Sequence, residues 1–204
     1  MLAKEFAKTV SRYCDNTALA GKLWDEIEKS YAAKGRYYHN QSHLENLLNE
    51  LASFKESIED WDCIIFTTAY HDVVYNALKK DNEEQSAALA EERLAEIAFP
   101  SDRINKCVQQ ILATKGHTVS DSQDTNFFTD ADLSILGASW EAYETYFKNI
   151  RKEYAFYPDL LYKPGRKKVL QHFLSMDKIF KTDKFFSQYE EQARKNLLVE
   201  LILL

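Results

Sequence analysis

Only five glycines and three prolines punctuate a chain of 204 residues. An all-β fold of that length needs many tight turns, and turns draw heavily on those two residue types. Apolar residues instead recur at helical spacing along most of the chain. Apolar residues make up 45% and charged residues 28% of the total, the balance of an ordinary globular protein long enough to bury a real core. The expectation is an all-α fold, a single-domain helical bundle spanning residues 1–204.

The apolar pattern and the capping residues divide the chain. Leu2, Phe6 and Val10 line a first helix. Asn16 or Thr17 caps a second, which is expected to run to about Lys34 and stop at Gly35. A third begins near Asn40 to Ser42 and carries Leu44, Leu47, Leu48 and Leu51. Asp60 caps a fourth, apolar nearly all round from Trp61 to Val74, which marks it as the buried central helix. Tyr75 to Asp81 reads as a loop, and Asn82 caps a helix with Ala87, Ala90, Leu94 and Ile97 on one face. Pro100-Ser101-Asp102 restarts a helix, and His117 to Asn126 reads as irregular. A short helix is expected over Asp130 to Leu136, closed by Gly137, and another over Trp140 to Tyr157. Pro158 to Gly165 reads as a loop before helices at Arg166 to Phe180 and Asp183 to Leu203. No internal repeat or strand is apparent.

The formal net charge is −6, which argues against a nucleic acid as partner. A small phosphorylated molecule remains compatible, because a bound metal adds positive charge that the formal count omits. Cys14, Cys63 and Cys107 are odd in number and form no C-x-x-C pair, so free thiols in a reducing, cytoplasmic setting are expected. Lys4, Glu5 and Lys8 interrupt the first eleven residues, so no secretory signal is expected there. The one dense apolar run, Leu197 to Leu204, is broken by Glu200 and is far short of the roughly 20 residues that span a bilayer. It reads as the end of a helix docked on the protein body, with no membrane partner; a homodimer is compatible with it.

Three segments place ionisable side chains where core packing does not explain them. In Tyr38-His39-Asn40-Gln41-Ser42-His43, two imidazoles at i and i+4 share a helix side if the helix starts early enough. They can share a metal, or one can ligate while the other moves a proton; alternatively they belong to a polar helix start. In Ala69-Tyr70-His71-Asp72-Val73, an ionisable pair lies in the most apolar helix. An unpaired carboxylate buried there costs several kcal/mol or more, which a divalent cation offsets directly. Imidazole nitrogen with carboxylate oxygen suits Mn, Fe, Co, Ni or Zn. The bland alternative is a buried His–Asp hydrogen bond. In Thr129-Asp130-Ala131-Asp132-Leu133, Thr129 or Asp130 serves as an N-cap. Asp132 then sits either as a first-turn acid favoured by the helix dipole or as a metal ligand from a distant helix.

The order His, then His-Asp, then a distant Asp resembles the HD superfamily of metal-dependent phosphohydrolases. Tyr38-His39-Asn40-x-x-His43 and Ala131-Asp132-Leu133-Ser134 are similar to segments of cyclic-nucleotide phosphodiesterases. A group of predicted HD phosphohydrolases of about this length is more similar still. It shares Asn82-Glu83-Glu84-x-Ser86-Ala87, Asp130-Ala131-Asp132-Leu133 through Gly137, Ile150-Arg151-x-Glu153-Tyr154 and Gly165-Arg166. The resemblance covers roughly Arg36 to Arg166, with residues 167–204 as C-terminal helices packed on that core. It implies an HD-type bundle in which His43, His71, Asp72 and Asp132 hold a divalent metal (Mn, Fe, Co, Ni, Zn or Mg). His39 then corresponds to the proton donor, although an alternative alignment makes His39 the first ligand.

Asp72 and Glu83 join His39 as candidate catalytic groups, Glu83 because it lies on the apolar face of its helix, where it can orient a metal-bound water or a ligating histidine. Glu83 serves equally as a helix-start acid. Lys115, His117, Arg151 and Arg166 are candidate substrate contacts, the arginines because their planar fork suits phosphate. Many small HD nucleotidases carry Glu three residues after the His-Asp aspartate, where this chain has Tyr75. Either Glu83 takes that role or the substrate differs. The implied activity is hydrolysis of a small-molecule phosphoester, a nucleotide first. Two alternatives are a di-iron oxygenase, for which only His117 lies between Asp72 and Asp132 as an added histidine, and a non-catalytic module that retains the metal and binds a ligand.

Overall fold

The helical periodicity is realised along the whole chain. A computed structural model covers residues 1–204 and contains ten α-helices and no strand. They are α1 (Leu2–Val10), α2 (Thr17–Tyr31), α3 (Gln41–Ala52), α4 (Trp61–Tyr70), α5 (Asn82–Glu96), α6 (Ser101–Ala113), α7 (Gln123–Asp132), α8 (Trp140–Glu153), α9 (Asp159–Ser175) and α10 (Asp183–Leu203). Short 3₁₀ turns occupy Lys55–Ser57 and Ser134–Gly137. The backbone groups into two compact units, Met1–Thr129 and Asp130–Leu204. No helix is long and apolar enough to cross a membrane.

In the first unit α4 is the central element, as its all-round apolar sequence predicts. Asp60 caps it by accepting the Cys63 N–H. Every residue from Asp62 to Tyr70 is buried, and α4 packs against α1, α3, α5 and α6. The Phe66 ring meets Phe6 edge-on at 5.6 Å and Phe99 at 4.9 Å. Each such fully buried apolar side chain contributes about 1.5–3 kcal/mol. Asp62, the one acid within this buried run, accepts hydrogen bonds from the Tyr13 hydroxyl and the Arg12 guanidinium.

Several boundaries differ from expectation, and each has a local cause. The central helix stops at Tyr70 rather than continuing through Val74. Side chains from elsewhere hold the backbone beyond it: Arg36 donates to the carbonyls of Asp72 and Val73, and the Ser86 hydroxyl pairs with the C=O of Val74 and takes its N–H, which a continued helix would have donated to Tyr70. The second helix ends at Tyr31, before Gly35, whose φ of +98° places it in the turn beyond. The segment expected to be irregular before Asn126 enters α7 at Gln123. Its Thr- and Asn-rich sequence has modest helix propensity, but Phe127, Phe128, Thr129 and Ala131 are buried and packing prevails. Asp124 in its first turn accepts the N–H groups of Glu59 and Asp60. The expected loop over Pro158 to Gly165 is the start of α9. Pro164 inside that helix is exposed, and it removes one helical N–H donor.

In the second unit the 3₁₀ turn lies against α10, and Asn196 holds it by donating to the carbonyls of Leu136 and Ala138, both at 2.8 Å. Gly137 is the point of closest approach. A Cβ added there would lie 2.6 Å from both the Cβ and the carbonyl oxygen of Tyr189. Arg166 is buried and forms a two-pronged pair with Glu200, at 2.7 and 2.9 Å, and the Tyr143 hydroxyl donates to the same carboxylate. The C-terminal apolar run buries Leu197 but leaves Leu198, Val199, Ile202 and Leu203 exposed.

Candidate metal centre

Asn40 sets the position of the first histidine. Its side chain accepts the N–H groups of Ser42 and His43 and starts α3 at Gln41. His43 therefore lies in the first turn, buried on the apolar side with Leu44 and Leu47. His39 lies before the cap, outside the helix, so the i, i+4 helical relationship between the two imidazoles does not form. It stacks on the Tyr75 ring at 4.3 Å. Arg36 ties the His39 loop to the end of α4, because the guanidinium that takes the Asp72 and Val73 carbonyls also donates to the carbonyl of His39. It is sandwiched between the rings of Tyr31 and Tyr75, and the Tyr31 hydroxyl accepts the Asp72 N–H at 3.0 Å.

His71 follows the last residue of α4 and is 1% exposed. Its Nδ1 lies 3.0 Å from the Thr68 carbonyl. A carbonyl only accepts, so Nδ1 carries a proton, and in the neutral ring Nε2 presents a lone pair, the arrangement found in metal-ligating histidines. Nε2 of His43 is 3.1 Å from Nε2 of His71, and Oδ2 of Asp72 is 3.3 Å from the same nitrogen. The same Asp72 oxygen is 3.9 Å from Nε2 of His39. Burial works against the charged form of Asp72, and the positive charge that the neighbouring imidazoles carry when protonated, His71 foremost and then His39 and His43, draws its carboxyl well below the usual carboxylate range.

Asp132 is the last residue of α7, not a first-turn acid of a following helix. Its neighbour Asp130 is not an N-cap either: it is buried in the last turn and accepts the N–H groups of Lys181 and Thr182 and the Thr182 hydroxyl. A helix C-terminus disfavours negative charge, so the dipole explanation for Asp132 is lost. One turn earlier, Phe128 packs edge-on against the His71 ring at 5.7 Å. Ligand atoms of His43, His71 and Asp132 all lie within 4.8 Å of one another.

The two imidazoles have the spacing of ligands to one metal ion. Two nitrogens, each about 2.0–2.1 Å from one ion, stand roughly 2.9–3.4 Å apart for tetrahedral or octahedral angles. The observed 3.1 Å between the two Nε2 atoms falls within that interval. Two imidazoles and a carboxylate are the ligand types of borderline divalent cations. The His-His-Asp group can hold a metal ion; Asp72 stands beside it, against His71.

The remaining candidates lie in other settings. Glu83 is half-buried in the first turn of α5. Lys115 is exposed and pairs with Glu84. His117 follows α6 in left-handed backbone, φ 48°, and its N–H donates to the Ala113 carbonyl. Arg151 pairs with Asp159 and donates to the carbonyls of Tyr154 and Tyr157. Arg166 is committed to Glu200. Sequence reasoning passed over Arg36, Tyr31 and Lys181. Arg36 directly precedes the Tyr-Tyr-His-Asn run, but no local pattern shows that it reaches backbone 36 residues away.

Comparison with known proteins returns no family model, no curated protein and no solved structure that matches this chain.

Proposed function

We propose that this protein is a metal-dependent phosphohydrolase acting on a small phosphoester. The observation that carries the reading is the facing pair of Nε2 atoms on His43 and His71, with a carboxylate oxygen of Asp132 within 4.8 Å. The order of these residues, together with the His71-Asp72 pair, resembles the HD phosphohydrolases and supports that reaction class. A divalent cation held there supplies Lewis acidity toward a phosphoryl oxygen and toward water.

The chain's own residues supply the rest. The Thr68 carbonyl fixes the His71 tautomer. Asp72, ionised beside His71 and His39, can orient water at the reacting phosphorus by accepting a hydrogen bond from it. His39, less deeply buried than His71 and stacked on Tyr75, is placed to give a proton to the leaving oxygen. Arg36 holds the backbone of both histidine segments and so preserves the spacing between the donor and the ligands. A nucleotide is the first substrate to try, on the strength of the motif resemblance alone.

The test begins with elemental analysis of the purified protein. A screen of phosphate mono- and diesters with Mn²⁺, Co²⁺, Ni²⁺ and Mg²⁺ follows. Metal-dependent release of phosphate or alcohol is expected, with His71→Ala reducing it at least about 100-fold. Full activity in His71→Ala overturns the proposal, as does the absence of activity with every ion.

A further inference from the structure

The turn between α8 and α9 and the first turn of α9 expose apolar side chains to water. Phe156 is 80% exposed and Leu160 85%, and Leu161 beside it is exposed too. The opposite side of α9 faces inward, because Tyr162, Arg166 and Leu170, four residues apart, are buried. α9 and α10 run antiparallel: Arg194 donates to the carbonyls of Leu174 and Met176, while Arg166 pairs with Glu200. The start of α9 and the last turn of α10 therefore share one end of the second unit, and Ile202 and Leu203 of that turn are also exposed. A concentration of exposed apolar surface of this kind marks a site of attachment. The same end is basic. Phe156 to Val169 contains four basic residues and one acid, in a chain of net charge −6. That acid, Asp159, pairs with Arg151, and Arg166 is spent on Glu200. The uncompensated charge of the segment lies on Lys163, Lys167 and Lys168, and α10 adds no acid after Glu200. Lys167 and Lys168 are exposed. They follow Leu160 and Leu161 by two helical turns, so each lysine lies on the face of its leucine, about 10 Å further along the axis.

We infer that this end of the second unit docks on the surface of an anionic lipid bilayer. Phe156, Leu160 and Leu161 enter the boundary of the acyl chains, and the lysines behind them reach the headgroups, their stems lying along apolar surface. The charge is complementary to acidic lipids, each lysine near such a surface adding to the attraction. Shape favours a bilayer over a folded partner. Side chains as exposed as Phe156 and Leu160 protrude singly, and a fluid bilayer accepts them without a matching groove. Tyr154 and Tyr157, half-buried on either side of Phe156, are of the residue type that sits at headgroup level. Attachment to a surface needs no spanning helix, so the expectation of no membrane partner, drawn from the lack of a spanning segment, does not extend to it. The inference is independent of the metal centre.

The test is sedimentation of the full chain with vesicles of equimolar phosphatidylserine and phosphatidylcholine, against vesicles of phosphatidylcholine alone. Wild type is expected to bind the acidic vesicles at least about tenfold more tightly than the neutral ones. The double variant Phe156→Ser, Leu160→Ser is expected to lose at least about tenfold in affinity for the acidic vesicles. Lys167→Gln with Lys168→Gln should lose about tenfold or more, whereas Lys4→Gln with Lys8→Gln, an equal change of charge on exposed positions of α1, should stay within about twofold of wild type. All these side chains are exposed, and circular dichroism verifies that each variant is folded. In Phe156→Trp, brominated acyl chains are expected to quench fluorescence beyond the level seen in wild type. Wild type that sediments with neither vesicle overturns the inference, as do undiminished binding by the double serine variant and the absence of added quenching. Self-association in sedimentation velocity that the double serine variant abolishes, with no vesicle binding, assigns the face to a second copy of the chain and overturns it as well.

Discussion

Nε2 of His43 faces Nε2 of His71 across 3.1 Å, although 28 residues separate the two in the chain. The Thr68 carbonyl holds a proton of His71 on its other nitrogen, so in the neutral ring a lone pair points into the gap. A ligand that binds only the folded arrangement stabilises it by mass action, by about 2.7 kcal/mol at 100 times its dissociation constant. For a chain of this size that is a rise of roughly 5–10 °C in unfolding temperature. Adding Zn²⁺ or Mn²⁺ to chelator-treated protein is expected to produce that rise in a calorimetric scan, and His43→Ala to remove it. Identical scans for wild type with metal and with EDTA would leave the centre without support.

Arg36 joins the two histidine-bearing segments through three carbonyls. Lysine keeps the charge but not the planar fork. Arg36→Lys is expected to lower stability by about 1–3 kcal/mol, from charge-assisted bonds lost or weakened. It should also weaken metal binding without touching a ligand. Urea unfolding together with a metal titration checks both effects; a variant with wild-type values in both assays contradicts the role given to Arg36.

Gly137 sits against the backbone of Tyr189 with no room for a Cβ. The obstructing atoms include the Tyr189 carbonyl, so the turn itself must move. Gly137→Ala is expected to cost about 2–3 kcal/mol, at the upper part of the range for overpacking. Denaturant unfolding gives the number directly. A loss below half a kcal/mol would mean that the turn and α10 separate easily.

Acid sensitivity should have an identifiable contributor in Asp60. Burial works against its charge, but the Arg103 guanidinium and the Cys63 N–H bring its pKa down to about 2. The folded value lies below the ordinary one, so the stabilisation is complete above the unfolded pKa and disappears as pH falls through the folded value. Between about pH 4 and pH 2 the wild type is expected to lose about 1–2 kcal/mol more than Asp60→Asn, after allowance for solvent screening. Stability curves for the two proteins that run parallel through that range would exclude the assignment.

Much of this was legible in the residues. The scarcity of Gly and Pro and the apolar spacing foretell an all-helical chain, and the uniform apolarity of the segment after Asp60 foretells its central position. His71 and Asp72 stand out because ionisable groups are conspicuous in such a segment. Less legible were the ends of helices, where side chains from remote positions settle the backbone. Nothing near Val74 announces that Ser86 will take its N–H and that Arg36 will hold the carbonyls before it, so that α4 ends at Tyr70. Asp130 and Asp132 look like a helix start because Thr and Asp are good caps. They lie at a helix end because buried Phe127 and Phe128 carry α7 through them.

By itself, then, the order of residues determined the secondary-structure class and the buried helix, because these follow from local spacing and side-chain chemistry, whereas the ligand set was suggested only by the resemblance to the HD superfamily. Only the tertiary structure decided that His39 lies outside the helix bearing His43, that Arg166 is spent on Glu200, and that Lys181 is buried beside Asp130. Those outcomes depend on which distant partner satisfies a charge or a backbone group once water is excluded, and spacing along the chain carries no record of that choice.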